Sequence, residues 1–425
     1  MCLPFFAPYP PNTLFVGLCR TILNSSFAPQ FGQACMTLKK QTTMKFAVRT
    51  ILPFAAALLA LSSCKKDEEP EPTPTAPGLQ IPTSYSSPNY DANTTAEYGV
   101  RAQLAALGSY MKQPESANAT ILEESQMNSI FTTGTPSLAD ITPEYFEAIV
   151  VDQLFPEIAS SSGNTYDPFQ GATATVGGVY GNRLLNRRAK ESLQEVEKGL
   201  FEAALYNHFL TLTEGELTVE TVDRMIAIYG AHPNFPNTST AANTPTPDAF
   251  LALYAARRDK NDGTGFYTRT RDQFIRLKAA IEAGSAFNAD RDDAIAKLKE
   301  IIESGVMATA IYYGHAATSK LTSSNPVATT YSGALHDLSE AVGFVHGWRA
   351  VPQQHRTITD AQIDQVLELL LAPPSTEGTM YNYITDSFGT VPNIIEYQEI
   401  LQNIYGFTDA EVEDFKQNWI AVQGR

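Results

Sequence analysis

No cysteine follows Cys64, and no acidic residue precedes Asp67. The first absence removes disulfides and thiolate metal sites from everything downstream and leaves Cys64 unpaired there. Positive charge is also scarce. Five of the 30 basic residues (Arg20, Lys39, Lys40, Lys45, Arg49) lie before Cys64, so the rest of the chain sets 25 against 46 acids. That balance excludes nucleic acid as a natural partner, because phosphate binding needs a basic footprint. There is no P-loop, no dinucleotide fingerprint, no GxSxG elbow and no HExxH. The acids of DKNDG (259–263) do not alternate as calcium ligands of an EF-hand loop do, so this stretch reads as a surface turn.

Against these gaps stands KFAVRTILPFAAALLALSSC (45–64). Lys45 and Arg49 form a positive n-region, and Ile51 to Leu61 is an apolar run of h-region length. The run is too short, and too soon followed by charge, for a membrane-spanning helix. Its end, Leu61-Ser62-Ser63-Cys64, looks like a bacterial lipobox, whose cysteine is diacylated and becomes the new N-terminus. The expectation is a lipoprotein signal peptide over 44–63, started at Met44, with lipidation at Cys64. Residues 1–43 then read as an upstream extension without a structural role. Proline and charge in KKDEEPEPTPTAPG make 64–90 a solvated tether, since neither can build a core. Lys65-Lys66-Asp67-Glu68-Glu69 is similar to the export signal that places Bacteroidetes lipoproteins on the outer face of the outer membrane.

From about Asn93 the apolar spacing is helical: Tyr98, Ala102, Leu104, Ala105, Leu107 and Met111 recur at three- and four-residue steps. Thr142-Pro143-Glu144 places a cap donor before a proline at the first helical position. Thr359 to Gln362 and Thr408 to Glu411 read as capping boxes. Long periodic stretches at 180–213, 269–284, 288–317, 330–350, 358–371 and 391–421 predict an all-α fold. The Pro/Thr/Asn-rich segment 231–247 predicts a break between two packed bundles, 91–235 and 236–425.

Two segments carry candidate chemistry. In YSGALHDLSEAVGF (331–344), His336 and Glu340 stand one helical turn apart on one face. They can share a divalent cation or simply hydrogen-bond each other. Leu335, Leu338 and Val342 point elsewhere and pack, while Gly333 and Gly343 allow a neighbouring helix to approach. His315 and His346 are candidates for a third ligand. His346 lies about 15 Å along the helix from His336, so the two cannot chelate one ion directly. In the second segment, Glu195 and Glu202 share a helix face two turns long, as further ligands or as acids on a solvated face opposite an apolar stripe.

The tracts EVEKGLFEAALYNHFL (195–210), LHDLSEAVGF (335–344) and YGVRAQLAALGSYM (98–111) resemble blocks of a Bacteroidetes lipoprotein family catalogued as a domain of unknown function (family 4856), over about residues 80–425. That family is similar in plan to the imelysin-like proteins. The resemblance implies two helical bundles and a Gly-x-His-x-x-Glu motif suspected of binding metal, with links to iron uptake. It would make His336 and Glu340 ligands of a divalent metal, with Ser339, His315, Glu195 and Glu202 as supporting or alternative ligands. This chain departs from the motif: His336 and Glu340 are four residues apart, not three, and Gly333 is three before His336, not two. The family's Trp-Asp-Glu-Ala-Phe-Gly-Tyr block is matched by Val222 to Gly230, with the tryptophan lost and Arg224 in place of the glutamate. The expected function is therefore a surface-anchored binding lipoprotein for a metal or metal complex, with no catalytic residue assigned. A partner-binding subunit of an outer-membrane complex is the alternative, and a metallopeptidase the third reading.

Overall fold

In a computed structural model of the chain, the residues described are 78–116, 120–240, 244 and 246–425. The expected signal peptide, Cys64 and the expected tether as far as residue 77 lie outside them. The helices that position the site are α1 (Thr95–Met111), α2 (Glu144–Ile149), α3 (Phe155–Ser161), α4 (Ser192–Leu200), α5 (Asn207–Glu214), α6 (Val219–Tyr229), α7 (Phe250–Arg257) and α8 (Phe266–Ala283). They are followed by α9 (Asn288–Leu321), α10 (Ala328–His346), α11 (Asp360–Leu369), α12 (Ser387–Tyr405), α13 (Asp409–Phe415) and α14 (Trp419–Gln423), with shorter turns between. The fold is all-α, as the periodicity predicts. One two-stranded antiparallel hairpin, β1 (Gly178–Tyr180) and β2 (Arg183–Leu185), is the exception among the described residues.

The hairpin corrects the helix expected from residue 180. Val179, Leu184 and Leu185 are buried, and the turn between the strands is only Gly181-Asn182. Gly181 has φ +61°, and a Cβ there would stand 2.4 Å from the Ser332 hydroxyl, so only glycine serves. Both expected capping boxes form: the Thr359 and Thr408 hydroxyls accept from the Gln362 and Glu411 amides, and those side chains accept from the cap amides in return. The Thr142 hydroxyl instead bonds the Leu138 carbonyl, and Pro143 itself is the cap of α2.

α9, 34 residues long, packs along α8 and α10, and α10 lies along α4. Val196, Leu200, Leu335, Leu338, Val342 and Phe344 fill the contact between α4, α10 and their neighbours. The described residues cluster as one unit, and the expected division at 235/236 has no counterpart in the core: α4 packs on α10, and α6 on α8, across it. Within the 231–247 segment, residues 231–240 are stapled down rather than strung out. Phe235 and Thr238 are buried, Asp248 accepts from the Thr238 amide (2.8 Å) and from the Tyr267 hydroxyl (2.7 Å).

Candidate functional site

α4 is buried on almost every side, so its charged residues must find partners inside the protein. They form two groups along the contact with α10. In the first, His336 Nδ1 faces Glu191 Oε2 at 2.8 Å, and its Nε2 stands 3.5 Å from Glu340 Oε1. The same Glu340 oxygen lies 3.5 Å from the Lys198 ammonium. The Glu191 amide donates to the Ser339 hydroxyl (2.9 Å), which donates to the Leu335 carbonyl (2.7 Å). Ser339 is thus a helix-to-helix strut.

This arrangement does not fit the divalent metal that the resemblance implies. The Lys198 ammonium already stands against the Glu340 oxygen nearest His336, and Glu191 takes the imidazole's Nδ1. Among the described residues no three His, Cys, Asp or Glu side chains converge as a metal-binding group. His315 lies in a separate surface depression with Tyr312 and Lys416, where burial, then Lys416, pushes its pKa down to about 4. Glu202 sits in a π-helical turn (Phe201–Tyr206), fully buried, with neither carboxylate oxygen hydrogen-bonded. Burial pushes its pKa well above the ordinary carboxylate range, which favours the neutral form in the core. Glu195 and Glu202 are therefore not a solvated acidic face. Arg224 donates to Glu97 (2.8 Å), and Asp223 accepts from Tyr85, Ser87 and Asn93, so the Val222 block pins the chain's 85–97 segment.

The second group underlies a cleft of about 430 Å³ between α2, α3, the 186–190 turn and the 371–380 segment. At its floor His346 Nδ1 meets Glu195 Oε1 at 2.6 Å, and Glu195 Oε2 takes the Lys190 ammonium at 2.5 Å. A carboxylate can only accept, so Nδ1 carries a proton and, in the neutral ring, Nε2 accepts from the Tyr145 hydroxyl 3.1 Å away. Tyr145 is 43 % exposed, whereas Glu195 and His346 are buried. Glu157 Oε2 accepts from Ser192 (2.6 Å) and Asn186 (3.0 Å) and stands 3.8 Å from Lys190. At the mouth, Arg187 and Arg188 each pair with one oxygen of Glu377. The cleft therefore offers donors and acceptors of both signs beside an apolar wall of Leu371, Ala372 and Pro373. Such a mixture suits a small polar molecule.

Of the residues singled out from sequence, the structure brings Glu195 and His346 together beneath this cleft, and His336, Ser339 and Glu340 together in the first group. Glu157, Lys190, Glu191, Lys198 and Tyr145 were not anticipated. Lys190-Glu191 and Glu197-Lys198, opposite charges adjacent at the edges of an apolar helix, were the available signal.

The electrostatics set a pH dependence. Burial would raise Glu195, but Lys190 and His346 outweigh it and hold it at about 2, against an ordinary 4.5. Its contribution to stability is full above pH 4.5 and is lost as pH falls towards 2. Burial would lower His336, but Glu191 overrides it and raises the pKa above 6.5; that contribution is full below 6.5 and is lost as pH climbs through the raised value. Glu115, pushed up by burial and then by Glu191, also costs stability as pH rises. Thermal melts should be highest between about pH 4.5 and 6.5 and fall on both sides. A maximum near pH 8 would contradict this assignment. No family model, curated protein or solved structure matches this chain.

Proposed function

We propose that this chain is a lipid-anchored extracytoplasmic binding protein that takes a small polar ligand into the cleft over Glu195, His346 and Lys190. The observation that carries the reading is the cleft floor: buried Glu195 pairs with both buried His346 and the half-buried Lys190, beside a partly exposed tyrosine. Preformed polar groups at the bottom of a concavity fix a ligand's orientation at little ordering cost. The two helical tracts that carry the family resemblance, 195–210 and 335–344, belong to the helices that meet beneath this site, which favours a binding role over a packing-only one. The lipobox-like Leu61 to Cys64 and the Lys65 to Glu69 run support a position on the outer face of an outer membrane. Among the described residues no helix is long and apolar enough to cross a membrane.

Anchoring is tested by Cys64→Ser. The parent should partition with membranes, because two or three acyl chains anchor stably, and the variant should be soluble or unprocessed. The cleft is tested by thermal-shift screening of polar metabolites against the parent and Val176→Trp. Val176 is 42 % exposed and lines the cleft, so tryptophan there fills space without disturbing the core. At least one compound should raise the parent's melting temperature by several degrees and leave the variant unmoved, since a ligand that binds only the folded state stabilises it. Equal shifts in both proteins would refute the site.

A further inference from the structure

The mouth of the cleft holds an arginine pair closed by the chain's own carboxylate. Arg187 and Arg188 converge on Glu377, one on each oxygen. The two sides of this contact are built differently. The Arg188 backbone amide donates to Asn186 Oδ1 (2.9 Å), its carbonyl accepts from the Tyr381 amide (3.2 Å), and its Nη1 donates to the Ala172 carbonyl (3.3 Å). Its side chain is only 13 % exposed. Glu377, by contrast, is 44 % exposed and stands in a run of exposed residues, Pro374 to Glu377. An ion pair with so much solvent access is weakly held.

The pairing is also incomplete. Glu377 meets Arg188 only at Nη2, and the buried Nε–H of Arg188 has no acceptor. A guanidinium presents Nε and Nη2 as a fork that matches both oxygens of one carboxylate. A side-on carboxylate would satisfy the orphaned donor, which Glu377 does not.

We infer that Arg187 and Arg188 form a carboxylate subsite, that Glu377 occupies it as a stand-in, and that the ligand of the cleft is a small hydroxylated organic acid. This rests on the cleft reading above and narrows it to a ligand class. The ligand's carboxylate displaces Glu377 and takes the arginine fork. A hydroxyl in its body donates to the Tyr145 oxygen at the floor, whose own proton goes to His346 Nε2. Displacement leaves Glu377 in solvent, which is where an exposed carboxylate is at ease, so the exchange trades a partial contact for a complete one. No covalent step is involved.

The test uses the full chain and isothermal titration with glycolate, lactate, gluconate and galacturonate, each beside its neutral counterpart: ethylene glycol, propane-1,2-diol, sorbitol and galactose. At least one acid should bind tenfold or more tighter than its counterpart. Glu377→Gln should tighten that acid about fivefold and leave neutral compounds unchanged, because it removes the competitor and not the site. Arg188→Gln should abolish acid binding. Arg188→Lys, which keeps the charge but loses the fork, should weaken it at least tenfold with melting behaviour like the parent's. Three results would overturn the inference: no acid binding to parent or Glu377→Gln, neutral compounds binding as well as acids, or Glu377→Gln weakening the acid. Neutral binding that Val176→Trp abolishes would leave the cleft standing and sink only the carboxylate subsite. Acid binding that survives Val176→Trp would sink the cleft itself.

Discussion

Glu195→Ala should destabilise the protein by about 4 kcal/mol, the scale of breaking a buried ion pair from one side. Glu195 is the acceptor for both the His346 imidazole and the Lys190 ammonium, at 2.6 and 2.5 Å, and all three side chains are largely out of water. Removing it leaves Lys190 with Glu157 alone, 3.8 Å away, and leaves the His346 Nδ1–H without an acceptor. Burial disfavours the Lys190 ammonium, and its raised pKa depends on the carboxylates around it. Glu195→Gln keeps an acceptor oxygen and should cost clearly less. Urea unfolding followed by circular dichroism measures both. A loss below about 1 kcal/mol for the alanine variant would mean that the group is hydrated and that the site is not preorganised.

Gly343→Ala should cost about 3 kcal/mol, at the upper end of ordinary overpacking. A Cβ at 343 would stand 2.7 Å from the Gln194 carbonyl oxygen and 2.7 Å from Lys198 Cβ, so α10 would have to move off α4. That movement spreads the layer in which Glu191, Glu195 and Lys198 meet their histidine and acid partners. Gly333→Ala is the internal control. Its added Cβ would meet only the Lys320 alkyl chain at 3.3 Å, which can swing aside. Alanine is also the better helix former by about 1 kcal/mol. Thermal unfolding should therefore show Gly333→Ala at or above the parent and Gly343→Ala well below it. Equal effects would contradict the close packing described for Gly343.

The contrast between these glycines shows what the sequence made legible. Helical periodicity and capping chemistry are local, and they located α9, α10, α11 and the Thr408 cap directly. Gly343 was expected to admit a neighbouring helix and does; Gly333 shared that expectation and faces a lysine side chain. His336 and Glu340 were placed on one face correctly, since an i, i+4 step is a property of one helix. Glu191 was not foreseen as the partner of His336, because it reaches that imidazole from 145 residues away. The same limit hid the site. Tyr145, Glu157, Lys190, Glu195 and His346 come from four separate stretches, and only packing of α2, α3 and α10 around α4 assembles them. The hairpin at 178–185 was masked by the helical periodicity that begins at Ser192, because period two over three residues is too short to register. The 231–247 segment has a linker's composition, yet Asp248, Tyr267 and Phe235 fasten residues 231–240 by contacts that composition does not encode.

The location of the binding site is the central claim, and hydrogen–deuterium exchange on the full chain tests it most directly. Exchange is measured with and without the compound that most stabilises the parent. The account predicts slowed exchange in residues 145–161, 186–195 and 371–380, which border the cleft, with the Val176→Trp variant unresponsive. Protection centred on residues 331–344 instead, dependent on an added divalent metal and lost in His336→Ala, would contradict it.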